Sequence, residues 1–148
     1  MSHLYFDTAY VGKCYLNEPD ALAVRETARS GEGLYTSALV MAELACAFHR
    51  NLREGTLTHR TARTARDQFL ADVRGEVWRL LPVTDHILNR IESLTRALPH
   101  EVFLRAGDAI HIVSAVEAGF NEIWTNDRHL LAAAAHFGLK GRSIRPAR

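Results

Sequence analysis

Four acidic residues, Asp7, Glu43, Asp108 and Asp127, stand at positions where a carboxylate could do chemistry. Asp7 closes the apolar run Leu4-Tyr5-Phe6, and Asp127 falls just past Ile123 and Trp124. Asp108 opens an apolar helical pattern, Ala109, Ile112, Val113 and Val116, where the peptide dipole favours negative charge. Glu43 interrupts Met41, Ala42, Leu44, Ala45 and Cys46. Burying an unpaired carboxylate costs several kcal/mol, so a glutamate in such company calls for a partner. Carboxylates gathered in one pocket repel, and one takes up a proton unless a cation intervenes. Mg²⁺ accepts an all-oxygen shell and keeps several waters, and Mn²⁺ takes the same ligands. A cation held there polarises a phosphodiester and activates water. Thr8 and Thr125 flank two of the acids and offer hydroxyls to that shell. Each residue also has a plain reading: Asp7 as a helix N-cap, Glu43 on an exposed helix face, Thr8 at a helix start and Thr125 as a β-branched strand residue. His111 and His129 lie near the acids in sequence and read as a core-edge and an exposed helix residue.

Elements must bring these residues together. Apolar runs at 4–6, 34–37, 77–83 and 120–125 read as buried strands, and 142–145 as a last edge strand centred on Ile144. A short helix follows Asp7. A second has Pro19 in its first turn and a buried side of Ala21, Leu22, Val24 and Ala28. Ser37 is the expected N-cap of a long helix with Val40, Leu44, Ala47 and Phe48 inward, ended by Gly55. Thr58 caps the next, which buries Ala62, Ala65, Phe69 and Val73 and turns Arg60, Arg63, Asp67 and Arg74 outward to solvent. Thr84 caps another, with Ile87, Leu88, Ile91, Leu94 and Leu98 as its stripe. Gly119 ends the helix begun at Asp108, and an alanine-rich helix over 128–137 ends at Gly138. The order β-αα-β-αα-β-αα-β-α-β predicts an α/β fold of three layers, a mainly parallel sheet of about five strands with helices on both faces. Ligands collect at the carboxyl edge of such sheets, where Asp7 and Asp127 fall. Asp108 reaches that edge only if its helix start folds back toward it.

The 148 residues predict one domain, 1–148. A hydrophobic fraction of 47% argues against disorder, and a net charge of +1 announces no nucleic-acid partner. Lys13 and Lys140 are the only lysines, and the arginine and alanine excess reads as codon bias. Cys14 and Cys46 sit in helical apolar patterns and read as buried thiols without a disulfide. No signal peptide or membrane-spanning run is evident, so a cytoplasmic protein is expected. No glycine-rich phosphate loop and no zinc spacing is present.

Four blocks together resemble the PIN domain of VapC-type toxins: DTA from Asp7 continuing through Lys13, Tyr15, Leu16, Glu18 and Pro19; SALVMAEL at 37–44; GDAIHIVSA at 107–115; and TND ending at Asp127. Ala9 stands where many relatives carry serine. The resemblance implies a PIN-like fold and a Mg²⁺- or Mn²⁺-dependent endoribonuclease acting on RNA. Asp7, Glu43, Asp108 and Asp127 would form its acidic centre. It also implies an antitoxin partner and a homodimer. Two other readings compete: a PIN-like module that binds RNA or protein without cutting, and an aspartate phosphatase or receiver-like domain with Asp7 as nucleophile.

Overall fold

The computed structural model of the chain describes residues 2–144. Its elements are β1 (His3–Tyr5), α1 (Thr8–Lys13), α2 (Ala21–Ser30), β2 (Gly33–Ser37), α3 (Val40–Arg53), α4 (His59–Arg74), β3 (Trp78–Leu81), α5 (Asp85–Thr95), α6 (Ala106–Glu117), β4 (Glu122–Trp124), α7 (Arg128–Ala134), a 3-10 turn (Ala135–Phe137) and β5 (Lys140–Arg142). This is the expected order. β2 pairs in parallel with both β1 and β3, and β4 with β5. The two groups join through a parallel bridge between Phe6 and Trp124.

The period of two along β1 divides the core into two layers. Leu4 and Phe6 point into a cluster with Val11, Leu44, Phe48, Phe69 and Trp78, beneath α1, α3 and α4. Tyr5 points the other way, to Ile112, Ala115, Ile123, Leu130 and Ala133 of α6, β4 and α7. Helices therefore cover both faces of the sheet, and parallel strands buried on both sides need such cover.

Local signals explain most boundaries. Thr84 accepts from the Ile87 N–H, and Thr58 forms a reciprocal capping box with Thr61. Gly119 follows α6 at φ 87°, a left-handed conformation that glycine takes without penalty. Several details differ from expectation. Leu39, not Ser37, is the N-cap of α3. Ser37 ends β2 and its hydroxyl accepts the Leu39 N–H. Pro19 precedes α2, whose cap is Asp20. The last strand lies at Lys140–Arg142, because its pairing is set by β4; of the predicted 142–145, Arg145 lies outside the described residues. Leu22 is 65% and Leu88 47% exposed, so neither belongs to a buried stripe. Cys46 is exposed and Cys14 half-buried, and both are free thiols. Burial pushes the Cys14 thiol up to about 12.

Candidate functional site

The sheet delivers the acids from separate elements. Asp7 leaves the end of β1 and turns the chain into α1. Its Oδ1 accepts the Tyr10 N–H at 2.9 Å, and its Oδ2 accepts the Thr125 hydroxyl at 2.5 Å. Asp7 is only 5% exposed. Burial pushes its carboxyl above the ordinary range, and the nearby Asp127 charge adds to that against the lowering hydrogen bonds. Asp127 caps α7: Oδ1 accepts from the backbone of His129 and Leu130 at 2.8 and 3.1 Å. Its own N–H donates to Thr125 Oγ1 at 3.0 Å, so one threonine hydroxyl links both aspartates.

Glu43 lies in the first turn of α3 and is half-buried. Its Oε1 accepts from the Thr8 hydroxyl at 2.7 Å and from His111 Nε2 at 2.8 Å. Burial alone would raise this carboxyl; the hydrogen bonds from His111 and Thr8, with the positive charge of Arg105, outweigh it and bring it below the ordinary range. The neighbours that made Glu43 conspicuous are placed otherwise than expected. Met41, Ala42, Ala45 and Cys46 are exposed, and Glu43 itself turns inward. Gly107 permits this approach, since a Cβ there would meet Glu43 Oε2 at 2.9 Å.

His111 is more than the core-edge residue expected. It is 2% exposed, and its Nδ1 lies 2.8 Å from the Tyr5 hydroxyl while Nε2 faces Glu43 and, at 3.0 Å, Thr8. Burial pushes the Tyr5 phenol far up, so it keeps its proton. An ionised Glu43 is an acceptor only, which puts an N–H on Nε2. A chain of hydrogen bonds thus runs from the core to Glu43. Sequence reading missed it because its members lie 68 and 106 residues apart.

Asp108, in the first turn of α6, is joined by Arg105 Nε at 3.3 Å, and Arg105 Nη2 reaches Asp127 Oδ2 at the same distance. Burial raises the Asp108 carboxyl; Arg105 opposes this and the Asp127 charge reinforces it. Arg105 was not singled out from sequence. All four acids, with Thr8, His111 and Arg105, line one cavity of about 320 Å³. A larger cavity, about 460 Å³ at the amino ends of β2 and β3, has a different chemistry: Trp78 Nε1 donates to Tyr15, whose hydroxyl donates to Asp72. Three arginines, Arg25, Arg29 and Arg79, line it with three acids, Glu32, Asp72 and Glu76, so it gathers no excess of charge.

The oxygen donors suit a hard divalent cation, and burial, with the Asp127 charge adding to it, holds two of the carboxyls above their ordinary range, a penalty that a cation relieves. Among the described residues, no three His, Cys, Asp or Glu side chains stand close enough together to hold a metal ion as they are placed. Arg105 meanwhile bridges two of the acids.

Comparison with known proteins fits this geometry. The PIN domain model matches residues 4–136. Three solved structures share the fold. VapBC2 from Rickettsia felis, bound to a DNA fragment from their promoter, aligns with TM-score 0.68 at 13% identity over 96% of this chain and 98% of that one. VapC20 from Mycobacterium tuberculosis, described as a Sarcin-Ricin loop cleaving toxin, aligns at 0.65 and 19%, covering 89% and 95%. FitAcB from Neisseria gonorrhoeae aligns at 0.66 and 18%, covering 93% and 95%. No curated protein matches. With a family model running along nearly its whole length, this chain belongs to the PIN-domain family.

Proposed function

We propose that residues 1–148 act as a single-domain endoribonuclease that depends on Mg²⁺, with Mn²⁺ as a substitute, and hydrolyses RNA phosphodiester bonds in the cytoplasm. We further assign it as the toxin of a type II toxin–antitoxin pair, a homodimer whose antitoxin occludes the cavity. The observation that carries the catalytic reading is the meeting of Asp7, Glu43, Asp108 and Asp127 in one cavity, from four separate stretches of chain. The fold relatives VapBC2 and FitAcB support the partner. No helix among the described residues is long and apolar enough to cross a membrane.

The four acids would hold the cation, which supplies Lewis acidity at the phosphodiester and lowers the pKa of the attacking water. The chain's own part is positioning. Thr125 fixes Asp7 against Asp127, while Thr8 and His111 fix Glu43. Asp7 and Asp108 hold protons above the ordinary range, so cation binding must displace them and tightens as pH rises. A phosphoaspartate mechanism is less well supported. Both Asp7 oxygens are engaged, and Lys13 is tied to Glu18 and Asp20. The test is RNA cleavage with Mg²⁺, with EDTA, and by Asp7→Asn. Cleavage only in the first condition is expected; equal cleavage in all three excludes the mechanism, and RNA binding without cleavage under any metal favours a binding module.

A further inference from the structure

The acids do not account for one exposed feature beside them. Phe103 lies in the segment between α5 and α6 and is 49% exposed, the one aromatic among the exposed large hydrophobics of the described residues. Its ring centroid is 4.2 Å from that of His129, with the planes inclined by 34°. The guanidinium carbon of Arg105 lies 5.7 Å from the same ring centroid. Both companions belong to the acidic cavity's rim: the His129 N–H donates to Asp127, and Arg105 joins Asp127 to Asp108. Arg128, next to His129, is exposed, and Arg50 lines the cavity from α3.

We propose that Phe103, stacked on His129 and crossed by Arg105, is the seat for an unpaired nucleobase of the RNA chain beside the scissile phosphate. The proposal rests on the nuclease reading for the strand's identity, but its geometry is independent of the chemistry. Phe103 is half in water beneath an exposed arginine, and a base can stack on such a ring by displacing the guanidinium or by stacking on its plane in turn. The surroundings are cationic and aromatic, which suits a base flanked by phosphates. The acidic floor repels phosphate, so an RNA chain needs attachment points outside it, and Arg50, Arg105 and Arg128 supply positive charge there. A base held on Phe103 places its neighbouring phosphate toward Asp127, through the contact of His129 with both.

The test is binding, measured in an Asp7→Asn background with EDTA so that no cleavage intervenes. The probes are a fluorescently labelled mixed-sequence single-stranded RNA of about a dozen nucleotides and the same length as duplex. Phe103→Ala is expected to weaken the single strand about tenfold and the duplex far less. Phe103→Trp should restore binding, with its indole emission quenched on RNA addition, and Phe103→Leu should not restore it. Equal binding by Phe103→Ala or full rescue by leucine overturns the proposal. If the native chain cuts no RNA while these binding differences persist, the nuclease reading fails and the seat stands. If it cuts RNA with unchanged KM in Phe103→Ala, the seat alone fails.

Discussion

Two clusters in this molecule have the same formula, one cation between two carboxylates, and opposite characters. Lys13 donates to Glu18 and Asp20 at 2.6 and 2.7 Å, with side-chain exposures of 9% for both Lys13 and Asp20. Burial would lower the lysine's affinity for its proton, and the hydrogen bonds of Asp20 and Glu18 more than reverse this. Asp20 is further held by Asn126, which accepts from Tyr10. Arg105 reaches Asp108 and Asp127 at 3.3 Å each, and its side chain is 61% exposed. The first cluster is short, and apart from Glu18, whose side chain is 42% exposed, it is closed inside the fold. The second is long and open to water. The difference separates a strut, whose cation is part of the architecture, from a site whose cation can be exchanged.

The sharpest way to break that distinction is at the strut. Lys13→Met removes the buried ammonium that Glu18 and Asp20 both hold, and removing one partner of a buried pair costs roughly 3–5 kcal/mol. The melting temperature should fall by about 10 °C. A shift no larger than that of an exposed substitution would show that the cluster carries no structural load. Next in size is Asp7→Asn, expected to cut RNA cleavage by about a hundredfold or more, the loss seen when a preorganised electrostatic group is removed. Its effect on stability should have the opposite sign. The folded Asp7 carboxyl titrates above its unfolded value, so the native state is favoured below the ordinary carboxylate range. That contribution is lost as pH rises toward the folded value. Asp7→Asn should therefore raise the metal-free melting temperature at pH 7 and leave it unchanged near pH 3. Cation affinity of the native chain should tighten as pH rises from the ordinary carboxylate range, and a flat profile would contradict the raised Asp7 and Asp108.

These elements were legible in the sequence to different depths, for physical reasons. Asp7 and Asp127 could be found because each follows a buried strand, and both turn out to be N-caps as well: the plain reading and the functional one describe the same atoms. The caps Thr58 and Thr84 and the stop at Gly119 are local chemistry, visible within a few residues. Glu43 drew attention through its apolar neighbours, but Met41 and Cys46 face water and only the helix rotation brings Glu43 inward. A short run cannot reveal which side of a helix the core occupies. Arg105 and Phe103 lie outside any periodic pattern, so only the folded chain shows what they touch.

The comparison is refined by the groups that set the geometry of the open site. His111→Ala removes a donor to Glu43 and leaves the Tyr5 hydroxyl without that partner. Residues that orient a metal ligand typically contribute 10–100-fold in affinity, so Mn²⁺ binding should weaken by about that much. A measured affinity equal to the native one, in protein of native melting temperature, would reduce His111 to a core residue.

The smallest effect on stability, and the most informative, is at Arg105. An exposed pair at this distance is worth at most about 1 kcal/mol, so Arg105→Ala should leave the melting temperature nearly unchanged, in contrast to Lys13→Met. Its cation affinity should move the other way. An internal guanidinium and an external divalent ion draw on the same Asp108 and Asp127 oxygens, so each weakens the other by the same factor. Removing the arginine should tighten Mg²⁺ binding several-fold in the absence of RNA. With RNA present and cation saturating, the same variant should raise KM, because a positive group is lost from the rim. Unchanged Mg²⁺ affinity would mean that Arg105 and the cation do not compete, and the two clusters would then differ in exposure alone.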